Sequence, residues 1–187
     1  MSDETTQKRQ AGVLQLGKRP KMVVQRSSVL RSRSMGAHKY IDELPPFLTP
    51  FILNVHDVLG DGHCGFRVVA YFLKMTNFGW RYVRNDLLIE IEEHPDLNER
   101  VFYGWDRVEE VKTSLQCHSY TAGKEHWMIM PDMEFMISSC YKIIVVHISR
   151  QQCLTYFPLR DPPPSLLNTH HLLSIGYLEA VTSWVWK

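Results

Sequence analysis

The sequence predicts an α+β or three-layer fold, with helices early in the chain and strands gathered late. Residues 65–76 and 80–93 place apolar side chains at helical spacing. Residues 141–148 form a β-branched, nearly continuous apolar run, and three shorter strand-like runs follow it. A glycine-rich turn at residues 60–62 runs directly into Cys64 and the first helix. There is no internal repeat and no regular alternation of strand with helix.

The elements read as follows. Pro45, Pro46 and Pro50 break any incoming helix and mark the entry to the domain. Phe66, Val69, Ala70 and Leu73 make the buried face of the first helix. Gly79-Trp80 closes that unit. In the second helix Val83, Leu87, Leu88 and Ile91 face inward, while Arg81, Arg84 and Glu92 are expected to face water. His94-Pro95 stops it. Residues 97–115 read as a third, shorter helical element with turns inside it. Met130-Pro131-Asp132 looks like a helix start, with Asp132 as cap or first-turn residue. The sheet is expected to use residues 142–148, 153–158, 173–178 and 183–186, the first strand central and the first two joined as a hairpin.

The 187 residues suit one domain and a tail: residues 1–44 read as a basic, Ser/Arg-rich disordered tail and residues 45–187 as the domain. The net charge of +1 hides an asymmetry. Residues 1–40 hold nine Lys/Arg and two acidic residues, net +7; the remainder holds twelve and eighteen, net −6. The basic block is open to two readings, a solvated tail or a contact to nucleic acid or an import receptor. No aromatic residues interleave with its arginines, which favours the first. The acidic body argues against nucleic acid as its main partner and suits a basic protein.

The four cysteines form no CxxC pair, and the chain opens with a polar segment and no signal-like run. Reduced thiols in an intracellular protein, cytoplasmic or nuclear, are the expectation, with no membrane span. Cys117-His118 and the Cys140, His147, Cys153 series match no zinc spacing, and Gly-Lys-Ser/Thr is absent. No metal, nucleotide or other cofactor is therefore expected. Trp80, Trp105 and Trp127 read as core aromatics.

The chemistry concentrates at Gly60-Asp61-Gly62-His63-Cys64-Gly65-Phe66-Arg67. A thiol at a helix start meets unpaired backbone N–H groups that lower its pKa and can hold a developing oxyanion. Asp61 can accept N–H bonds across the turn, and Arg67 can pair with Asp61 or anchor the loop. A purely structural, buried cysteine remains the alternative on spacing alone.

These residues resemble the nucleophile motif of the OTU (ovarian tumour) cysteine proteases. Residues 127–133, with 143–148 and 154–159, resemble an OTU body, most like the variants carried with fungal and plant mobile elements. The similarity runs from about residue 50 to the end. It implies a papain-like OTU fold with helices around a central sheet, and cleavage of ubiquitin or ubiquitin-like conjugates at the glycine carbonyl. Cys64 would be the nucleophile, Asp61 would shape the oxyanion loop, and ubiquitin or a ubiquitin-like protein would be the partner.

The resemblance also exposes a departure. The family's late Asn-His-aromatic-Val motif falls on Thr182-Ser183-Trp184-Val185, so Ser183 stands where the base belongs. Neither Ser183 nor Thr182 can take a proton from a thiol near pH 7. Lys187 also comes earlier than such domains end, which suggests a truncated C-terminus. The candidates for a displaced base are His170 and His171, in the loop after Pro164. His63 should point away from the thiol, and His147 reads as a satisfied core residue; His118 and His126 have no assigned role. Two functions follow: an isopeptidase, with catalysis impaired or rescued by a displaced histidine, or an inactive relative that binds ubiquitin-like protein.

Overall fold

The structure, a computed structural model, describes residues 41–52, 55–161, 171–177 and 184–186. The basic segment 1–40, His170, Thr182 and Ser183 lie outside the described residues. Five helices precede and flank a four-stranded mixed sheet among these residues, the α+β arrangement expected from the sequence. None of the described helices is long and apolar enough to cross a membrane.

Helix α1 (Cys64–Phe72) buries Phe66, Val68, Val69 and Ala70. It stops four residues short of the expected end at residue 76. Lys74 takes a left-handed φ of 57°, and Met75 N–H donates back to the Ala70 carbonyl at 2.9 Å. That closing bond satisfies a terminal carbonyl and ends the helix without glycine.

Helix α2 (Gly79–Glu93) carries the expected apolar face, with Val83, Leu87 and Ile91 fully buried. Arg84 contradicts the expectation that it faces water: it is 3% exposed. Trp80, Arg84, Leu87 and Ile91 share the inward side, and spacings of four, three and four residues account for it.

The expected single element at 97–115 is two helices, α3 (Pro95–Phe102) and α4 (Trp105–Leu115). Pro95 at the first helical position and left-handed Tyr103 bracket α3. Trp105 is half exposed, against its expected place in the core. Trp80 is buried as expected.

Helix α5 (Asp132–Tyr141) starts where the sequence suggests. Asp132 sits in its first turn, one of the two expected places, and pairs with Arg107 of α4 at 2.6 Å. Left-handed Lys142 then turns the chain into strand β1 (Ile144–Ile148), which starts two residues later than expected because Lys142 caps α5 and the Ile143 N–H still donates to the Ser138 carbonyl at 3.1 Å.

Strands β2 (Cys153–Tyr156), β3 (Leu172–Tyr177) and β4 (Trp184–Trp186) complete the sheet in the order β2-β1-β3-β4. β1 is antiparallel to β2 and parallel to β3, and β3 is antiparallel to β4. The central place of β1 and its hairpin with β2 agree with its sequence. Val145, Leu173 and Ile175 are fully buried beneath Met133 and Ile137 of α5 and the apolar faces of α1 and α2. Leu44, Ile52 and Val55 form a smaller cluster against Ile148.

Candidate active site

The turn before α1 is built around Gly62. Its φ is +84°, which L side chains rarely adopt, and a Cβ there would lie 2.2 Å from the Ala122 carbonyl oxygen. The segment at residues 119–123 can therefore lie directly on the turn, where Ala122 N–H donates to the Asp61 carbonyl at 2.8 Å. Gly65 repeats the device, since a Cβ there would meet Met128 Sδ at 2.7 Å. Two glycines thus let a distant segment cover the start of α1.

Asp61 folds its carboxylate back over the turn. Oδ1 accepts the His63 N–H at 3.0 Å, and the Arg67 guanidinium grips both oxygens, with Nη2 at 2.5 Å from Oδ2. Burial pushes this carboxyl up, but the Arg67 fork and the His63 N–H outweigh it and hold the group below its ordinary range. Asp61 and Arg67 so neutralise each other while fixing the loop.

His63 is fully buried. Its ring stacks on Trp80 with centroids 3.7 Å apart. Arg84 Nε donates to Nδ1 at 3.1 Å, so the imidazole proton sits on Nε2 and is donated to the Ser119 carbonyl at 3.1 Å. Both ring nitrogens are engaged away from Cys64, as the divergence of neighbouring turn residues requires. Burial and the Arg84 charge pull the pKa from 6.5 down to about 4.

The unfolded chain takes up the His63 proton below pH 6.5 while the folded chain resists until about pH 4. Stability from this site is complete above pH 6.5 and is lost as pH falls toward 4, by up to about 3 kcal/mol. Urea denaturation between pH 7 and 4.5 should show this slope, and His63→Asn should flatten it. Equal slopes in the two proteins would refute the assignment.

Cys64 is the first residue of α1 and is buried at 7% exposure. A helix leaves the N–H groups of its first turn without intrahelical acceptors, and Arg67 N–H is the first in α1 to find one, at the His63 carbonyl. The dipole and first-turn amides of a helix start can stabilise negative charge that develops beside them. None of the described cysteines forms a disulfide.

The sheet places His171 at the end of β3 opposite the start of β4. Met128, against Gly65, leads into α5, and Glu134 in the first turn of α5 bonds to His147 near the end of β1 at 2.8 Å. His147 is buried in that pair, as its sequence context suggested. The parallel register sets His147 beside Ile175 and Ile148 beside Gly176, and β3 then continues into Tyr177, paired with Trp184. The start of β4 belongs to this same end, and β4 has Cα atoms within 8 Å of α1. Exposed His171 precedes β3, where its carbonyl accepts the Ile144 N–H at 2.9 Å. The five residues from His171 to Gly176 span about 16 Å of strand.

Two features of the site run against expectations from polarity. Arg84 was expected in solvent, although its place between Trp80 and Leu87 on the inward stripe was available as a signal. The segment at residues 119–128, which carries Ser119, Ala122, His126 and Met128 onto the turn, has no sequence signal for that contact. Among the described residues no group of three or more His, Cys, Asp or Glu could hold a metal ion.

Solved structures of two proteins share the arrangement. The viral OTU domain protease from Dera Ghazi Khan virus matches with a TM-score of 0.50 and 13% identity, over 72% of this chain and 81% of that one. The OTUD1 OTU domain matches with a TM-score of 0.51 and 12% identity, over 71% and 84% respectively. No family model and no curated protein matches. At this identity the likeness is one of fold alone: helices packed around a small mixed sheet, as in those two OTU domains.

Proposed function

We propose that the chain is an OTU-like, thiol-dependent ubiquitin isopeptidase domain with impaired catalysis. The observation that carries this reading is Cys64 itself. It heads α1 behind a turn locked by Gly62, Asp61 and Arg67, within a fold like that of OTU proteases. Cys64 sulfur would attack the C-terminal glycine carbonyl of ubiquitin or a ubiquitin-like protein, with first-turn amides holding the oxyanion. The amine would leave and a thioester would form, to be released by water. Asp61, already engaged by Arg67, would serve by holding the turn rather than by touching substrate.

The steps that suffer are the proton transfers. Ser183 occupies the position of the base in the resemblance, His63 is held neutral by two bonds, and His171 lies at the opposite end of β3. These observations also support the second reading, a module that binds ubiquitin-like protein without turnover.

A ubiquitin C-terminal electrophilic probe separates the readings. Wild type should label slowly at Cys64, Cys64→Ala should not label, and His171→Ala should label like wild type, with turnover near background. Fast labelling and turnover abolished by His171→Ala would defeat the impaired reading. Ubiquitin binding without labelling would favour the module, and neither binding nor labelling would defeat both.

A further inference from the structure

We propose that Arg84 is a positioning residue for Cys64: its guanidinium clamps the turn that delivers the thiol and supplies the positive charge that keeps it ionised. This rests on the reading of Cys64 as a reactive thiol.

Arg84 reaches across from α2 and is only 3% exposed. Nε donates to His63 Nδ1 at 3.1 Å, Nη1 to the Ser114 carbonyl at 2.8 Å and Nη2 to the His126 carbonyl at 2.7 Å. The guanidinium carbon also lies 3.8 Å from the centroid of the Phe66 ring. His63 directly precedes Cys64 and Phe66 follows two residues after it, so one side chain contacts the chain on both sides of the thiol. The same fork ties the end of α4 and the covering segment to that point.

The chemistry of the acceptors makes the clamp more than structural. Two are neutral carbonyls and the third is a neutral imidazole, so all three bonds use the fork without cancelling its charge. Among the described residues Arg84 forms no ion pair with a carboxylate, while Arg67 and Asp61 cancel one another nearby. A buried cation with only neutral hydrogen-bond partners is costly, and a nearby anion offsets that cost. Burial pulls the Arg84 pKa down to about 10, and negative charge on Cys117, Asp61 or Cys64 would oppose that pull, which puts all three within electrostatic reach of the guanidinium. Cys64 combines this field with the amides of a helix start. Where the general base is lost, a fixed cation of this kind sustains the thiolate needed for attack, but it cannot return a proton to the leaving amine. Acylation would persist in weak form and turnover would fail.

The test is the rate of iodoacetamide alkylation of Cys64 in the full chain, followed by peptide mass between pH 5 and 10 for wild type, Arg84→Lys and Arg84→Met. Wild-type Cys64 should be half-maximally reactive below the free-thiol value of about 8.5. Arg84→Met should slow alkylation about tenfold at pH 7 and leave the high-pH plateau unchanged. Arg84→Lys, which keeps the charge but loses the fork, should stay within about threefold of wild type. A merely structural role would move both variants alike. The proposal is overturned by a wild-type midpoint at or above 8.5, by Arg84→Met matching wild type, by Arg84→Lys matching Arg84→Met, or by a shift confined to Cys117 in the same digest. If circular dichroism shows Arg84→Met unfolded, the wild-type midpoint and Arg84→Lys decide the matter. The assay contains no ubiquitin, so failure of the ubiquitin probe would refute the proposed function without touching this result.

Discussion

Ser183→His, combined with Thr182→Asn, is expected to raise ubiquitin conjugate hydrolysis by about 10²–10⁴-fold, the usual contribution of a general base. The expectation joins a sequence match to a topological fact. The OTU motif aligns its histidine with Ser183, one residue before β4, and β4 runs close to α1, which Cys64 heads. An imidazole there would need a ring nitrogen within hydrogen-bond reach of the thiol. Single-turnover cleavage of a fluorogenic ubiquitin C-terminal amide, with Cys64→Ala in the same background, measures the gain. The added activity should vanish with the thiol. It should also rise with pH through the histidine range near 6.5, as the base loses its proton. A folded double variant that cleaves no faster than wild type would mean that the alignment puts the base in the wrong place.

The largest expected loss of stability comes from Gly62→Ala, at about 3–4 kcal/mol. The left-handed φ costs an L residue about 1–2 kcal/mol. The new Cβ would also meet the Ala122 backbone oxygen at 2.2 Å, so the covering segment must move. That movement puts at risk the Ala122 N–H bond to the Asp61 carbonyl and the His63 bond to Ser119, each worth about 1 kcal/mol. For a chain of 187 residues the melting temperature should fall on the order of 10 °C. Thermal denaturation by circular dichroism checks this, and a fall of less than 2 °C would show that the turn relaxes freely. Cys64 alkylation should change with it, because the turn and the thiol share one support.

Neighbours in sequence determined a good part of this architecture. The glycine turn followed by an apolar helical run placed Cys64 at a helix start, because glycine φ freedom and helical periodicity are local properties. His94-Pro95 marked the junction of α2 with α3, since proline at a first helical position lacks the N–H that no carbonyl needs there. The β-branched run around Ile144 marked the central strand, because burial on both sides removes polar alternation. The pairing of Asp61 with Arg67 was also legible, since six residues separate them across one turn.

Tertiary structure decided the rest. Arg84 was assigned to solvent by its charge, and it is buried because three acceptors from different parts of the chain converge on its fork. Those acceptors lie 21, 30 and 42 residues away, and no local propensity encodes such a meeting. The length of α1 was settled by a closing bond at left-handed Lys74, a conformation that lysine does not advertise. The parallel pairing of β1 with β3 separates His171 from the end where β4 begins, although both lie late in the chain. Side-chain type and spacing thus determined the main elements and put Cys64 at a helix start. The electrostatic setting of the thiol depended on long-range packing, which alone brings a distant cation, a buried ring and two backbone carbonyls to the same turn.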